Sequence, residues 1–193
     1  MLTNDPNPMQ HFQKWFFEAD EIFHEQEPNA MLLSTIASDN TVSSRMVLLK
    51  KYTWEGFIFF TNYNSHKAKA ISNNDKVSLF FNWKKSKRQL LIKGKAERIP
   101  KHVSENYFAL RPRGSQIAAW ASEQSQIIPS RNVIENQLTN FQKKFKNQDI
   151  PKPNKWGGYL IKPVSFEFID YSKNSIPKST FYTMGNAFYW LKT

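Results

Sequence analysis

The chain has 193 residues, no cysteine and a formal net charge of +11 at pH 7. That length fits one domain with a sizeable core, and the lack of cysteine excludes disulfides, thiolate zinc sites and cysteine nucleophiles, in keeping with a reducing cytoplasm. The 15% aromatic content argues against disorder, and the charge favours anionic partners: nucleic acid, a phosphorylated small molecule or an acidic surface.

The opening residues, MLTNDPNPMQHF, show no basic segment followed by an apolar stretch, and no apolar run approaches a membrane span. A soluble, cytoplasmic protein without membrane contact is expected. Asn7-Pro8 opens a helical pattern that puts Phe12, Trp15, Phe16, Ala19, Ile22 and Phe23 on one face, with Asn7 as the cap. Ala30 to Ala37 reads as a strand and Ser38-Asp39-Asn40 as a turn. Val42 to Lys50 and Phe57 to Thr61 follow as the two arms of a hairpin around Thr53-Trp54-Glu55-Gly56. Ser65 suits the N-cap of a helix carrying His66, Lys67 and Lys69 near its start, where free N–H groups favour phosphate. Lys76 to Trp83 is the next strand, Lys84 to Lys87 a polar reversal, and Arg88 to Ile99 a long strand with a bulge at Gly94.

Helical signals return at Ser104 to Leu110, Ser115 to Ala121 and Ser130 to Phe145. After a loop from Lys146 to Lys155, strands are expected at Trp156 to Ile161, Ser165 to Asp170, Thr180 to Thr183 and Ala187 to Leu191. The pattern is mainly β with helices, an antiparallel α+β fold. Short strands and tight turns favour a closed barrel over a parallel sheet. One domain over residues 1–193 is expected, with an N-terminal helical segment at 1–29 and a helical insertion at 104–146.

The four histidines, His11, His24, His66 and His102, have no ligand spacing and no acidic cluster beside them, so no metal site is expected. Nucleophile elbows, Walker loops and dinucleotide-binding glycine fingerprints are missing. What remains is a set of cations and amides on strands and helix starts, among them Arg45, Lys50, Lys67, Gln89, Arg111 and Gln124, suited to phosphate and heteroaromatic ligands. Basic strands interleaved with aromatics also suit single-stranded nucleic acid, a reading that the charge alone does not separate from the first.

Six ordered pieces carry a resemblance: RMVLLK at Arg45 to Lys50, FFTNYNSHKA at Phe59 to Ala68, RQLLIKGKAER at Arg88 to Arg98, YFALRPRGSQIAAWAS at Tyr107 to Ser122, Gln124-Ser125, and WGGY at Trp156 to Tyr159. Together they resemble the pyridoxine (pyridoxamine) 5′-phosphate oxidases over residues 30 to 170. The resemblance implies a split β-barrel that binds FMN at the interface of a homodimer, with molecular oxygen and a phosphorylated vitamin B6 compound as substrates and no nucleic acid. The activity implied is oxidation of pyridoxamine or pyridoxine 5′-phosphate to pyridoxal 5′-phosphate with release of hydrogen peroxide. Carried over by position, the flavin set is Arg45, Met46, Val47, Leu48, Lys50, Phe60, Thr61, Ser65, His66, Lys67, Gln89, Gln124 and Ser125, with Gln124 and Ser125 expected to reach the neighbour's flavin. The substrate-phosphate set is Lys50, Tyr107, Arg111 and Ser115. Arg45 and Lys50 are five apart, so an unbroken strand would point them to opposite faces and a bend or backbone contact is required.

The departures from the family pattern are specific. His66 stands where the family usually has Arg, and histidine is only partly charged near neutral pH. Ile169 replaces a flavin-site Trp, and Ser175-Ile176-Pro177-Lys178-Ser179 replaces an Arg-x-His-Asp-Arg stretch, removing the family's substrate-contacting Arg and His. Trp190-Leu191-Lys192-Thr193 stands in place of an Arg-Leu-x-Pro tail. Each charge-assisted hydrogen bond so lost is worth about 1.5–3 kcal/mol. Two alternatives follow: a related flavin oxidase acting on another heterocycle, as in phenazine biosynthesis, or a protein that binds FMN or pyridoxal phosphate without catalysis.

Overall fold

A computed structural model describes residues 7–172, 176–185 and 190–192. Helix α1 (Pro8–Phe17) begins where expected: the Asn7 side chain accepts from the Met9 N–H at 2.9 Å, and Pro8 occupies the first turn, where a missing N–H costs nothing. The helix runs into a π turn at Glu18–Ile22, closed by the Phe23 N–H on the Glu18 carbonyl. That wider turn changes the phase of the apolar stripe. Phe12, Trp15 and Ala19 are buried as expected, but Ile22 turns out to solvent at 58% exposure.

The strands are β1 (Ala30–Ile36), β2 (Val42–Leu48), β3 (Lys51–Thr53), β4 (Gly56–Asn62), β5 (Lys76–Trp83), β6 (Arg88–Arg98), β7 (Trp156–Asp170), β8 (Lys178–Met184) and β9 (Trp190–Lys192). All pairings are antiparallel, in the order β2-β1-β5-β6-β7-β4-β3, with β8 on β7 and β9 on β8. The expected strand from Ala187 falls partly outside the described residues. Helix α2 (His66–Asn73) follows β4, and α3 (Lys101–Ala109), α4 (Arg113–Ala121) and α5 (Arg131–Lys144) form the insertion.

Two expectations change. The sheet is not closed by hydrogen bonds among the described residues, because β2 and β3, the ends of its main path, do not pair with each other and β9 ends the branch through β8. Nor do the arms of the expected hairpin pair: β2 lies on β1, while only the short β3 lies on β4. The cause is a change of partner within two residues. The Leu49 N–H donates to the Asn29 carbonyl at 2.8 Å, whereas the Lys50 N–H donates to the Ile58 carbonyl at 2.9 Å. The chain therefore crosses from one edge of the sheet to the other at Leu49-Lys50, and the barrel is split there.

The bulge near Gly94 is present: Lys93 pairs with Ser165 but Gly94 with Pro163, leaving Val164 as the extra residue. A side chain at Gly94 would meet the Lys162 carbonyl at 2.5 Å, which explains the glycine. The irregularity also admits Pro163, so the two expected strands either side of it are one strand, β7. The main core lies between α1 and the inner face of the sheet, around Phe12, Phe57, Phe59, Phe81, Phe166 and Phe168. A second cluster, Phe108, Ile117, Phe145, Ile150 and Trp156, seats the helical insertion on the start of β7.

Candidate functional site

The partner change at Leu49-Lys50 opens a cleft of about 640 Å³ bounded by the end of β2, β4, the start of α2, and α4 with the loop after it. Arg45, Met46, Val47, Leu48 and Lys50 line it from one side, Phe60, Thr61, His66 and Lys67 from another, and Arg111, Ser115, Gln124 and Ser125 close it. Arg45 and Lys50 share this cleft because the strand bends between them, which resolves the parity problem. A second lobe of about 370 Å³ adjoins it, lined by Tyr107, Leu110 and Pro112 and sharing Lys50, Phe60, Arg111, Ser115 and Trp156 with the first. The larger volume is that of a small-molecule or cofactor site.

The wall is basic: Arg45, Lys50, His66, Lys67 and Arg111 contribute to it and, among the described residues, no Asp or Glu does. Lys67 is 7% exposed and donates to the hydroxyl of Thr61 at 3.1 Å, that of Ser65 at 3.4 Å and the Gln124 amide oxygen at 3.3 Å. Burial, and then the neighbouring Arg45 charge, lower its pKa to about 8. Arg45 is tethered by a 2.6 Å hydrogen bond to the Thr35 hydroxyl, and burial lowers its pKa as well. Among the described residues, neither Lys67, Arg45 nor Arg111 has a carboxylate partner.

Arg111 sits where α3 has ended and α4 has not begun, its N–H bonded to the Phe108 carbonyl at 3.1 Å. Pro112 forces the break, so Tyr107, Arg111 and Ser115 converge from a helix end, a turn and the next helix start rather than from one continuous helix. Glu105 is engaged by Lys101 at 3.5 Å and leaves Arg111 alone. The Arg111 guanidinium lies 4.8 Å from the Trp156 ring centroid, and its buried Nη1 has no hydrogen-bond partner. Burial lowers its pKa, with Tyr107 acting in the opposite direction.

Four positions differ from expectation. Ser65 holds the N-cap position of α2 as expected, but it is fully buried beneath the cleft: its hydroxyl donates to the Asn62 carbonyl at 2.7 Å and supports Lys67 instead of bonding the helix N–H groups or facing a ligand. Gln89 does not line the cleft but lies on the outer face of β6 beside Asn82 and Tyr171. Gln124 and Ser125, expected to serve a neighbour, instead join their own chain's cleft through Thr61, Lys67 and the His66 N–H. The cause is that the loop after α4 folds back over the start of α2, with Ser125 at φ +66°. Asn62, Ala118, Ala119, Ser122 and Trp156 also line the cleft and were not singled out in the sequence. All five lie within the quoted pieces, Asn62 in FFTNYNSHKA, Ala118, Ala119 and Ser122 in YFALRPRGSQIAAWAS and Trp156 at the head of WGGY.

Known proteins bear on this arrangement. The family model described as pyridoxamine 5′-phosphate oxidase matches residues 18–145. The pyridoxine/pyridoxamine 5′-phosphate oxidase of Flavobacterium johnsoniae is 44% identical over 189 residues, covering 97% of this chain and 88% of its own. Pyridoxine/pyridoxamine 5′-phosphate oxidase 2 of Hydrogenovibrio crunogenus is 44% identical over 190 residues, covering 98% and 88%. Among solved structures, PhzG from Burkholderia lata 383, in complex with tetrahydrophenazine-1-carboxylic acid, matches with a TM-score of 0.92 at 23% identity over 98% of this chain and 93% of that one. A pyridoxamine 5′-phosphate oxidase-related, FMN binding protein from Nostoc punctiforme PCC 73102 matches with a TM-score of 0.72 at 11% identity, covering 100% and 97%. With this antiparallel α+β split barrel and these sequence matches, the chain belongs to the pyridoxamine 5′-phosphate oxidase family.

Proposed function

We propose that the protein is an FMN-dependent oxidase of pyridoxamine or pyridoxine 5′-phosphate, yielding pyridoxal 5′-phosphate and hydrogen peroxide. The observation that carries this reading is a two-lobed cleft with no carboxylate among its described lining residues: buried Lys67 and half-buried Arg45 line the larger lobe, and half-buried Arg111 lies where the two lobes meet. Cations withdrawn from water without acid partners are costly unless anions meet them, and a flavin phosphate and a substrate phosphate are two such anions.

The residues present fit FMN. Lys67, Arg45, His66 and Ser125 offer charge and donors for its phosphate, and Thr61 and Gln124 supply polar contacts on the same wall. Lys50, Tyr107, Arg111 and Ser115 suit the substrate phosphate, where the unpartnered Arg111 Nη1 is a donor in search of an acceptor. The bound flavin would supply the redox chemistry, taking hydride from the substrate carbon beside the pyridine ring and passing the electrons to oxygen as hydrogen peroxide; with pyridoxamine phosphate, water would also be consumed and the nitrogen would leave as ammonia. The chain's own part is to hold both phosphates, orient the ring between them and exclude water from the lobes.

A homodimer belongs to the same reading. Met46, Leu32, Phe80, Leu91, Glu167 and Phe181 form one register row across the outer face of six strands, mostly apolar, with Met46 61% and Phe181 42% exposed. Beside it runs the row Asn82, Gln89, Ile169 and Ser179. A second copy packed on this face would cover the apolar row and could bring Gln89 to the opposite cleft.

A second reading, flavin or pyridoxal phosphate binding without turnover, draws on that same row: Ile169 and Ser179 offer neither an aromatic plane nor a guanidinium, while Ser175 lies outside the described residues. Steady-state oxidation of pyridoxamine phosphate and pyridoxine phosphate by the yellow purified protein separates the two. Turnover no faster than free FMN, with no anaerobic bleaching by either substrate, overturns the oxidase.

A further inference from the structure

We infer that Trp156 is a positioning residue for Arg111, its indole face holding the guanidinium in the smaller lobe where an acid partner would otherwise be needed. The inference rests on the reading of that lobe as a phosphate site. An arginine in such a place needs something to fix it, because a flexible cation with no partner would lose rotamer entropy on meeting its ligand. No carboxylate does this for Arg111, among the described residues.

Two aromatic faces are within reach, Trp156 at 4.8 Å and Phe108 at 5.7 Å, and indole is the stronger cation–π partner. Trp156 is itself immobile. It is 7% exposed, its N–H donates to the Pro153 carbonyl at 3.0 Å, and its carbonyl accepts from Lys152 Nζ at 2.9 Å. Its ring lies parallel to two others, that of Phe60 at 4.9 Å and 3° and that of Tyr107 at 6.4 Å and 5°. Tyr107 lines the smaller lobe as well, so the aromatic cluster that holds Trp156 against Arg111 also contributes a ligand-facing side chain. An indole also leaves the guanidinium N–H groups free. A carboxylate would occupy those donors, whereas a ring face fixes the plane and leaves Nη1 for the phosphate.

The test compares Trp156→Phe and Trp156→Leu with the purified wild-type protein, titrating pyridoxal 5′-phosphate and, in parallel, phosphate-free pyridoxal. Loss of a partly desolvated cation–π contact predicts pyridoxal phosphate binding weaker by about 5- to 30-fold in Trp156→Leu, and by about 2- to 5-fold in Trp156→Phe. Pyridoxal binding stays at the wild-type level in both, and in turnover the KM for pyridoxamine phosphate rises while kcat holds. Unchanged pyridoxal phosphate binding in Trp156→Phe and Trp156→Leu overturns the inference. So does an equal loss for both ligands, which marks a packing role only. Should Trp156→Leu fail to fold, Trp156→Phe decides alone by the same criterion. If the wild-type protein binds pyridoxal phosphate no better than pyridoxal, the phosphate reading of the lobe itself falls, whatever the variants do.

Discussion

Replacing Arg111 with alanine separates the two phosphate sites. In the free protein the guanidinium has one favourable contact of note, the partly desolvated Trp156 face, worth about 1–2 kcal/mol. Against that stands the cost of keeping a half-buried cation with a buried Nη1 that bonds to nothing. The two nearly offset, so Arg111→Ala without ligand should melt within about 2–4 °C of wild type, the equivalent of roughly 1 kcal/mol at this chain length. With a phosphate present the balance changes, because a desolvated charge pair would lose one member. That costs about 2–5 kcal/mol, or roughly 30- to 5,000-fold in Kd. Calorimetric titration with pyridoxal phosphate reads the loss, and the flavin absorbance of the same preparation reads FMN content, which should equal that of wild type. Loss of FMN with unchanged pyridoxal phosphate affinity would refute the reasoning and assign Arg111 to the flavin.

Lys67 predicts a pH dependence. Its folded pKa of about 8 lies below the ordinary 10.5, so between those values the unfolded chain binds more protons. The ligand-free protein therefore gains stability from this group as pH rises from about 8 to 10.5, while affinity for FMN falls over the same interval as the cation is lost; fluorescence titrations at pH 7 and 9 should show that fall in wild type and not in Lys67→Met. His11 acts likewise at acid pH. It is stacked on Phe168 at 3.8 Å and within 3.2 Å of the Tyr182 hydroxyl, and burial, then Lys192, Lys14 and Arg88 against an opposing Glu18, hold it at about 4 in place of 6.5. Stability should thus rise with pH from about 4 to 6.5, and chemical denaturation of His11→Phe across that range should lose this part of the slope. Finally, mixing separately inactive Gln89→Ala and Lys67→Met proteins after dissociation should restore about a quarter of the sites, since a mixed dimer holds one site with both residues intact. No recovery in a mixture that light scattering shows to have exchanged subunits would place Gln89 outside the partner's cleft.

Local pattern determined much of this protein. The cap at Asn7, the strands over Ala30–Ile36, Lys76–Trp83 and Arg88–Arg98, and the bulge at Gly94 all follow from side-chain period and from the special backbone roles of Pro and Gly. The cations of the cleft were legible for a related reason: Arg45, Lys67 and Arg111 stand beside apolar residues without acidic neighbours in sequence, and the fold supplies none. Tertiary structure decided what depends on partners distant in the chain. Nothing in Leu49-Lys50 announces that one amide pairs with Asn29 and the next with Ile58, yet this splits the barrel and brings Arg45 and Lys50 to one cleft. The same holds for Ser65, whose neighbours suit a cap but whose hydroxyl is drawn under Lys67, and for Gln89 and Gln124, similar amides on opposite surfaces of one chain. Period and propensity act over a few residues, whereas register, strand order and the return of the loop after α4 are set by which distant groups bury one another, and only the assembled fold contains that information.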